Sequence, residues 1–495
     1  MTTTPDFPAT PGTKGAASPP DAAGAVLTAR AKLVLIVLCG AQFIIALDFS
    51  ILNVALPVLG RDLDMGQSDL QWAVTAFALP SGGFLLFFGR AADVYGRRWL
   101  FLSGLAVFTA SSLLAAFGWN QQSFLAARAL QGLGAAVVVP VGMSLLTTIF
   151  PEGPQRNRAL AVNGALLSLG YTVGMVLGGT MTDLLGWRST MGMLAAAGAL
   201  AAVAAMALLG ADVRPERRPR LDVPGAVTVT GGLLALIYGA SVSADPATPA
   251  VEVAVALVLA AVLLTAFVLI ERRTAEPLVS LTMLRLRTVA CGNLGGLTTF
   301  AMMSSLIFLL TLYLQQAVGL STFETGLFFG AQGLVLAATG MSASRLIGRL
   351  GARTTLVAGL SVQAAGTLGL IALGVRTPVW LTLAILLFAS VGHMSAVVSY
   401  GVNASAGLPD EQQGLAGGLI TSAQQIGITV GIPILSAVAT GGLADRDEAG
   451  DGFAAALTDG VRFGIVCDAV VVVAVAVTVA VGLTSRRGDS TSVML

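Results

Sequence analysis

Apolar residues in this chain gather in long runs separated by short polar turns. Fourteen such runs lie near residues 33–59, 70–89, 99–117, 123–149, 159–181, 189–210, 223–243, 251–270, 289–315, 323–341, 354–374, 378–404, 414–439 and 462–483. A helix needs about 20 mainly apolar residues to cross the hydrocarbon layer, where every backbone polar group must be satisfied internally. The pattern therefore predicts an all-α polytopic membrane protein with fourteen spans. The runs at 223–243 and 323–341 are interrupted by glycine. Residues 1–31, rich in Thr, Pro, Ala and Gly, carry no periodicity and predict a disordered tail. The first run is too long for the apolar stretch of a signal peptide and lacks a small-residue cleavage site, so it reads as a retained span.

Sorting the charges by turn gives an orientation. With the N-terminus inside, 21 of the 27 basic residues fall on inner segments, and the exceptions are Arg61, Arg128, Arg188, Arg376, Arg446 and Arg462. Positive-inside orientation predicts such a bias, and an odd span count would scramble it. Both termini are expected in the cytoplasm.

The chain also repeats itself. Gly170-Tyr-Thr-Val-Gly174 in the fifth run recurs as Gly427-Ile-Thr-Val-Gly431 in the thirteenth, 257 residues on. Gly96-Arg97-Arg98 after the second run is echoed by Gly351-Ala352-Arg353 after the tenth. The expected organisation is a tail (1–31), a six-helix bundle (32–211), a two-helix linker (212–287), a second six-helix bundle (288–485) and a short tail (486–495). Repeats of this kind typify secondary transporters, whose substrate site lies between the halves near the midplane.

Composition narrows the chemistry. Hydrophobic residues make up 55% of the chain and charged residues 11%, against about 25% charged in soluble proteins. A soluble enzyme does not fit, and the near-zero net charge of +1 offers no basic face for nucleic acid. Lys occurs only at Lys14 and Lys32, neither in a phosphate-binding loop, which excludes an ATP-driven pump within this chain. Cys39, Cys291, Cys467 and the single His393 are too dispersed to form a metal site, and the cysteines read as buried inert thiols. No cofactor and no metal is expected. A membrane-bound metal-diphosphate enzyme lacks the acidic clusters it needs. The Arg-over-Lys, Ala-, Gly- and Val-rich usage suggests a GC-rich, actinobacterial source.

The segment Gly89-Arg-Ala-Ala-Asp93-Val-Tyr-Gly96-Arg97-Arg98 sets a carboxylate and guanidiniums on a short inner turn and reads as a gating loop. It matches the signature G-x-x-x-D-x-x-G-R-R/K of the major facilitator superfamily. Leu47-Asp48-Phe-Ser-Ile-Leu-Asn53-Val-Ala-Leu-Pro57 resembles the first-span motif of that superfamily's fourteen-span drug:proton antiporters, with Ser50 in place of Thr. Arg128-Ala-Leu-Gln131-Gly132-Leu-Gly134 matches their fourth-span motif, and Glu271-Arg-Arg-Thr-Ala-Glu-Pro277-Leu resembles the segment before their ninth span. The resemblance covers residues 33–485. It departs from the pattern in the fifth span, where Gly174-Met175-Val-Leu-Gly178-Gly179 has Met175 at the expected proline. Gly170, Gly174 and Gly178 still recur at four-residue steps, which permits close helix approach.

The resemblance implies alternating access between two six-helix bundles. It identifies Asp48 as a proton-responsive carboxylate, with Arg128 as a candidate coupling partner; a structural hydrogen bond for Asp48 and a structural ion pair for Arg128 remain open. Gln131, three residues on and on the same helical face, is a candidate relay. Asp468 and His393, both inside apolar runs, are further candidates for a proton or substrate site; a pairing role for Asp468 and a packing role for His393 remain open. A charge near the bilayer centre costs roughly 2.5–3.5 kcal/mol and needs a partner or a purpose. The function expected is proton-coupled efflux of an antibiotic or other hydrophobic drug from the cell, by a monomer in the cell membrane. A proton-coupled importer of a small metabolite in the same superfamily is the alternative.

Overall fold

The computed structural model describes residues 28–483 except for stretches at 67–68, 151–153, 211–221, 244–247, 275–277, 279–280, 282, 375, 409–412 and 441–451. Among the described residues there is no strand, and thirteen helices are long and apolar enough to span a membrane. The first group comprises α1 (Ala29–Asp62), α2 (Leu70–Gly83), α3 (Leu85–Tyr95), α4 (Arg97–Ala116), α5 (Gln121–Ile149), α6 (Pro154–Leu185) and α7 (Trp187–Leu208). A hairpin of α8 (Val223–Val242) and α9 (Ala250–Glu271) follows. The last group comprises α10 (Arg287–Leu312), α11 (Thr322–Leu350), α12 (Ala352–Gly369), α13 (Val379–Ser405), α14 (Gln413–Thr440) and α15 (Phe453–Gly482).

One predicted span departs from the pattern. The second run is divided at Phe84 into α2 and α3, so neither piece alone reaches spanning length. Pro80 lacks the N–H that the helix ladder needs at that position. Thr230 of α8 donates to Gly83 O at 2.7 Å, an acceptor that a continuous helix uses internally. Pro80 weakens the ladder one turn before the break, and the break itself lies beside a carbonyl engaged by a neighbour 147 residues away. Other helices exceed their apolar runs: α11 continues through Arg345 and Arg349, and α15 begins at Phe453. Long basic side chains reach toward water while their backbone stays helical.

Helix ends follow local chemistry. Asn120 and Ser123 form a reciprocal capping box at the start of α5, as do Ser321 and Glu324 at the start of α11. Gly96 (φ 102°) and Gly351 (φ 80°) link α3 to α4 and α11 to α12 through single left-handed residues, a conformation that side chains disfavour. These two turns share the face bearing most of the arginines, termed here the basic end.

Within the first group α1 packs on α6 and α7, and α5 on α2 and α4; within the last, α10 packs on α13, α14 and α15, and α12 on α13 and α15. The groups meet through α6 against α11 and α2 against α14. The inserted helix α8 lies along the second seam, touching both α2 and α14, with Val229, Leu233 and Ile237 packed toward Leu79, Ile426 and Val430. Helix α9 rests on α8 and leaves Val251, Val255, Val258 and Val262 exposed. Such an apolar outer face suits lipid. The chain is a multi-pass membrane protein.

The internal repeat is visible in packing. A methyl group on Gly134 would stand 2.7 Å from Phe108 N, and one on Gly104 2.8 Å from Val137 Cβ. In the last group Gly392 and Gly359 play the same parts, with Gly359 set 2.7 Å from Ala396 N by that measure. Both helix pairs thus cross at glycine-lined contacts. Gly134→Ala is expected to cost about 1–3 kcal/mol by overpacking against backbone that cannot yield. The check is a melting temperature in detergent several degrees below wild type.

Candidate functional site

Asp48 stands in the middle of α1 and Arg128 about two turns into α5, both 0% exposed. Arg128 Nη1 donates to Asp48 Oδ1 at 2.8 Å and lies 2.9 Å from Oδ2. The same nitrogen lies 2.7 Å from Gln131 Oε1, and Arg128 Nε donates to Ala73 O at 3.3 Å. Gln131 Nε2 donates to Asp48 Oδ1 at 3.2 Å and to Ser112 Oγ at 2.8 Å. Ser112 in turn donates to Phe108 O at 2.6 Å. The guanidinium carbon lies 4.5 Å from the centre of the Phe77 ring, a cation–π contact. Arg128 Nη2 has no hydrogen-bond partner among the described residues.

Four helices therefore converge on one carboxylate. Gln131 is positioned because it follows Arg128 by three residues on the same face, with Gly132 letting α5 close onto the Phe77 carbonyl. An ion pair this dry depends on further hydrogen bonds to its remaining donors and acceptors, and the Gln131 amide supplies one to each partner, leaving Arg128 Nη2 unmatched among the described residues. Ser112 and Phe77 belong to the site, yet neither stands out in the sequence: each is an ordinary residue of an apolar run.

Next to this network, three glycines of α6 face α1. A methyl on Gly170 would approach Phe43 O at 2.7 Å, on Gly174 Leu47 O at 2.8 Å, and on Gly178 Ile51 Cα at 2.9 Å. Gly179, turned about 100° further, faces α11, where a methyl would lie 3.1 Å from Phe323 Cα. Met175, at the expected proline, is buried at the same interface, and a methyl on Gly326 of α11 would meet its carbonyl at 2.6 Å. In the last group Gly427 and Gly431 face Leu297 O and Ala301 O in the same manner. In that register Asp48 corresponds to Met302, and counting from Gly134 and Gly392 makes Leu386 the counterpart of Arg128. The buried ion pair belongs to one half of the repeat.

His393 joins a separate network. Thr299 Oγ1 is 2.5 Å from Gln363 Oε1 and 2.8 Å from His393 Nδ1. Gln363 Oε1 can only accept, so the threonine proton goes to it and His393 Nδ1 is the donor to Thr299. Phe300 packs edge-on to the imidazole at 5.4 Å. Asp468 is elsewhere again, 1% exposed in α15, with both carboxylate oxygens unpartnered among the described residues. Asp48, Arg128 and Gln131 are thus brought together, while His393 and Asp468 lie apart from them.

In the turn between α3 and α4, Arg97 bonds to Thr148 of α5, and Arg98 Nη2 donates to Met206 O at 3.0 Å. These ties hold the α3–α4 turn to α5 and α7. Asp93 falls within α3, and its side chain lies outside the described residues. Gly89 faces Pro140 at ordinary contact distance. At the end opposite the basic one, a cavity of about 470 Å³ opens between the groups, lined by Pro57, Arg61, Asp183, Gln315, Gln316 and Thr322 among others. Beside it Gln315 Nε2 donates to Val54 O at 2.8 Å, and Thr322 bonds to Asp183.

The pattern of the Major Facilitator Superfamily matches residues 38–432 of this sequence. The chain belongs to that superfamily. It is accordingly a transporter rather than an enzyme. Among members of the superfamily, the chain is 36% identical over 424 residues to the cephamycin export protein CmcT of Amycolatopsis lactamdurans, covering 84% of this chain and 86% of that protein. It is 36% identical over 417 residues to the puromycin resistance protein pur8 of Streptomyces alboniger, covering 83% and 82% respectively. Among solved structures, a bacterial homologue of the human lysosomal transporter Spinster, in an inward-facing and unoccupied conformation, superposes with a TM-score of 0.67. That match is 14% identical and covers 92% of this chain and 97% of the other, a likeness of fold.

Proposed function

We propose that this major facilitator protein exports antibiotics or other hydrophobic drug-like molecules across the cell membrane in exchange for protons, by alternating access. The observation that carries the proton coupling is the enclosed Asp48–Arg128–Gln131 network. The export and resistance roles named for the two actinobacterial relatives support the cargo class. The basic end is taken as the cytoplasmic side, by the positive-inside rule.

A proton arriving at Asp48 removes the charge that Arg128 neutralises and turns one acceptor oxygen into a donor. The Gln131 amide has its acceptor toward Arg128 and its donor toward Asp48, so it must reorient to match the new pattern. The strain reaches α6 directly, because Leu47 O lies against Gly174. Helix α6 in turn bears on α11 through Gly179, Gly326 and Gly333. These contacts sit toward the end opposite the basic one, whereas Gly164, nearer the basic end of α6, has no neighbouring atom among the described residues where a methyl would sit. Packing of this kind supports a state closed beneath the outer cavity, where α6 meets α11.

Two measurements test this reading. A drug-susceptibility panel in an efflux-deficient host is expected to show raised tolerance to at least one hydrophobic drug on expression of the chain; an unchanged panel would overturn the efflux reading. For the outer closure, Gly326→Leu forces a side chain into the Met175 carbonyl. It is expected to raise maleimide labelling of a cysteine placed at Val58 in a background free of Cys39, Cys291 and Cys467. Unaltered labelling would remove the α6–α11 contact from the gate.

A further inference from the structure

Helix α15 packs on α10, α12 and α14 and on the turns at 313–317 and 370–372. The ionisable groups on these elements are Arg287, Cys291, Tyr313 and Arg353, together with Asp459, Arg462, Cys467 and Asp468 on α15 itself; α14 brings none. Two hydrogen bonds fix the depth of each. Arg353 Nη2 donates to Ala480 O at 3.2 Å at one end, and Arg462 Nε donates to Ile371 O at 2.9 Å at the other. Helices α12 and α15 are therefore antiparallel, and Asp468 is level with the segment Ala365–Thr367. On α10, Cys291 faces Gly482 and Leu309 faces Gly464, which brings Ser305 to the same level.

At 1.5 Å per residue, Arg353 lies about 18 Å from Asp468 along the axis and Arg462 about 9 Å away. Arg462 is engaged with Asp459 at 3.2 Å and with Ile371 O. Tyr313 is committed to Gly374 O at 2.9 Å. No cation is seated at the depth of Asp468, and the hydroxyl of Thr367, 0% exposed at that depth, is itself unpartnered among the described residues. An unpaired carboxylate in so dry a site is heavily penalised, whereas the neutral acid is tolerable. An apolar side chain would fill the space without any such cost. A carboxyl group kept here has a use only if it meets water in another conformation.

We propose that Asp468 is a second proton carrier, protonated while α15 is packed as seen and ionised when the basic end opens around it. On opening, the O–H bond breaks, its electron pair stays on the carboxylate and the proton passes to cytoplasmic water. On outward opening a proton from the outer side restores the acid. The inference rests on the proton-coupled reading above and adds one proton to each cycle.

The test uses purified full-length protein in proteoliposomes, with puromycin as the probe, one pH unit across the membrane and the potential clamped at zero. Each coupled proton then sustains about a tenfold drug gradient whatever the charge of the drug. Wild type is expected to reach about 100-fold, and Asp468→Asn about tenfold, with drug-for-drug exchange retained. Asn copies the shape of the neutral acid; Asp468→Ser is the second variant, and Asp468→Glu is expected to restore the wild-type ratio. A wild-type gradient in both Asp468→Asn and Asp468→Ser would overturn the inference while leaving proton coupling intact. Wild type that builds no gradient of puromycin, or of any drug to which its expression raises tolerance, would overturn the transport reading itself.

Discussion

Asp48→Asn is expected to abolish drug uptake driven by a pH gradient into inverted membrane vesicles, with the protein still present at its normal level. Asn cannot bind or release the proton, yet its amide can accept from Arg128 much as the carboxylate does, so the four-helix junction persists. The loss is large because the proton is the energy source. At ~100 mV, one inward charge releases about 2.3 kcal/mol, and one pH unit adds about 1.36 kcal/mol. One coupled proton thus sustains roughly a 500-fold gradient of a neutral drug, since 1.4 kcal/mol is a factor of ten. For a monovalent cation exchanged one-for-one the voltage cancels and only about tenfold remains. Vesicles containing Asp48→Asn should show no pH-driven gradient of either kind, because the Asp48 network is what links α1 to α6 in the proposed cycle and a proton on Asp468 alone does not drive that step. Full transport by this variant would remove Asp48 from the mechanism.

Arg128→Leu is expected to be the most damaging single change to folding. It leaves the Asp48 carboxylate enclosed with no counter-charge and only the Gln131 amide as partner. Breaking a buried pair from one side costs about 3–5 kcal/mol. The double variant Asp48→Asn, Arg128→Leu removes both charges and should recover most of the folded yield without regaining coupling. Fluorescence-detected size exclusion distinguishes the two: a sharp monodisperse peak for the double variant and a diminished or aggregated one for Arg128→Leu. Equal losses in both would mean that Arg128 acts through packing on Phe77 rather than through charge. Arg128→Lys is not conservative here, because a single ammonium cannot reach Asp48, Gln131 and Ala73 O from one stem as the planar fork does.

The linear pattern was informative where the bilayer imposes a local rule. Length and apolarity alone marked each crossing, because a helix in hydrocarbon satisfies its own backbone and needs nothing from its neighbours. The exception is instructive. The run at 70–89 looks like an ordinary span, but Thr230 takes the Gly83 carbonyl, and that partner is distant in sequence. Gly170, Gly174 and Gly178 were legible as a close-packing stripe, whereas the choice of α1 for these three and α11 for Gly179 was not.

The scarcity of charge in the chain reduced the buried ionisable groups to a few, and the four-residue glycine steps announced the tight crossings. Those features are local, so sequence by itself determined them. Only the tertiary structure decided what each charge does. By their apolar surroundings alone Asp48 and Asp468 look alike, yet one meets Arg128 at 2.8 Å and the other meets no partner among the described residues. The difference arises because pairing depends on which helices are neighbours and at what depth, and helix neighbours are set by packing across the whole bundle.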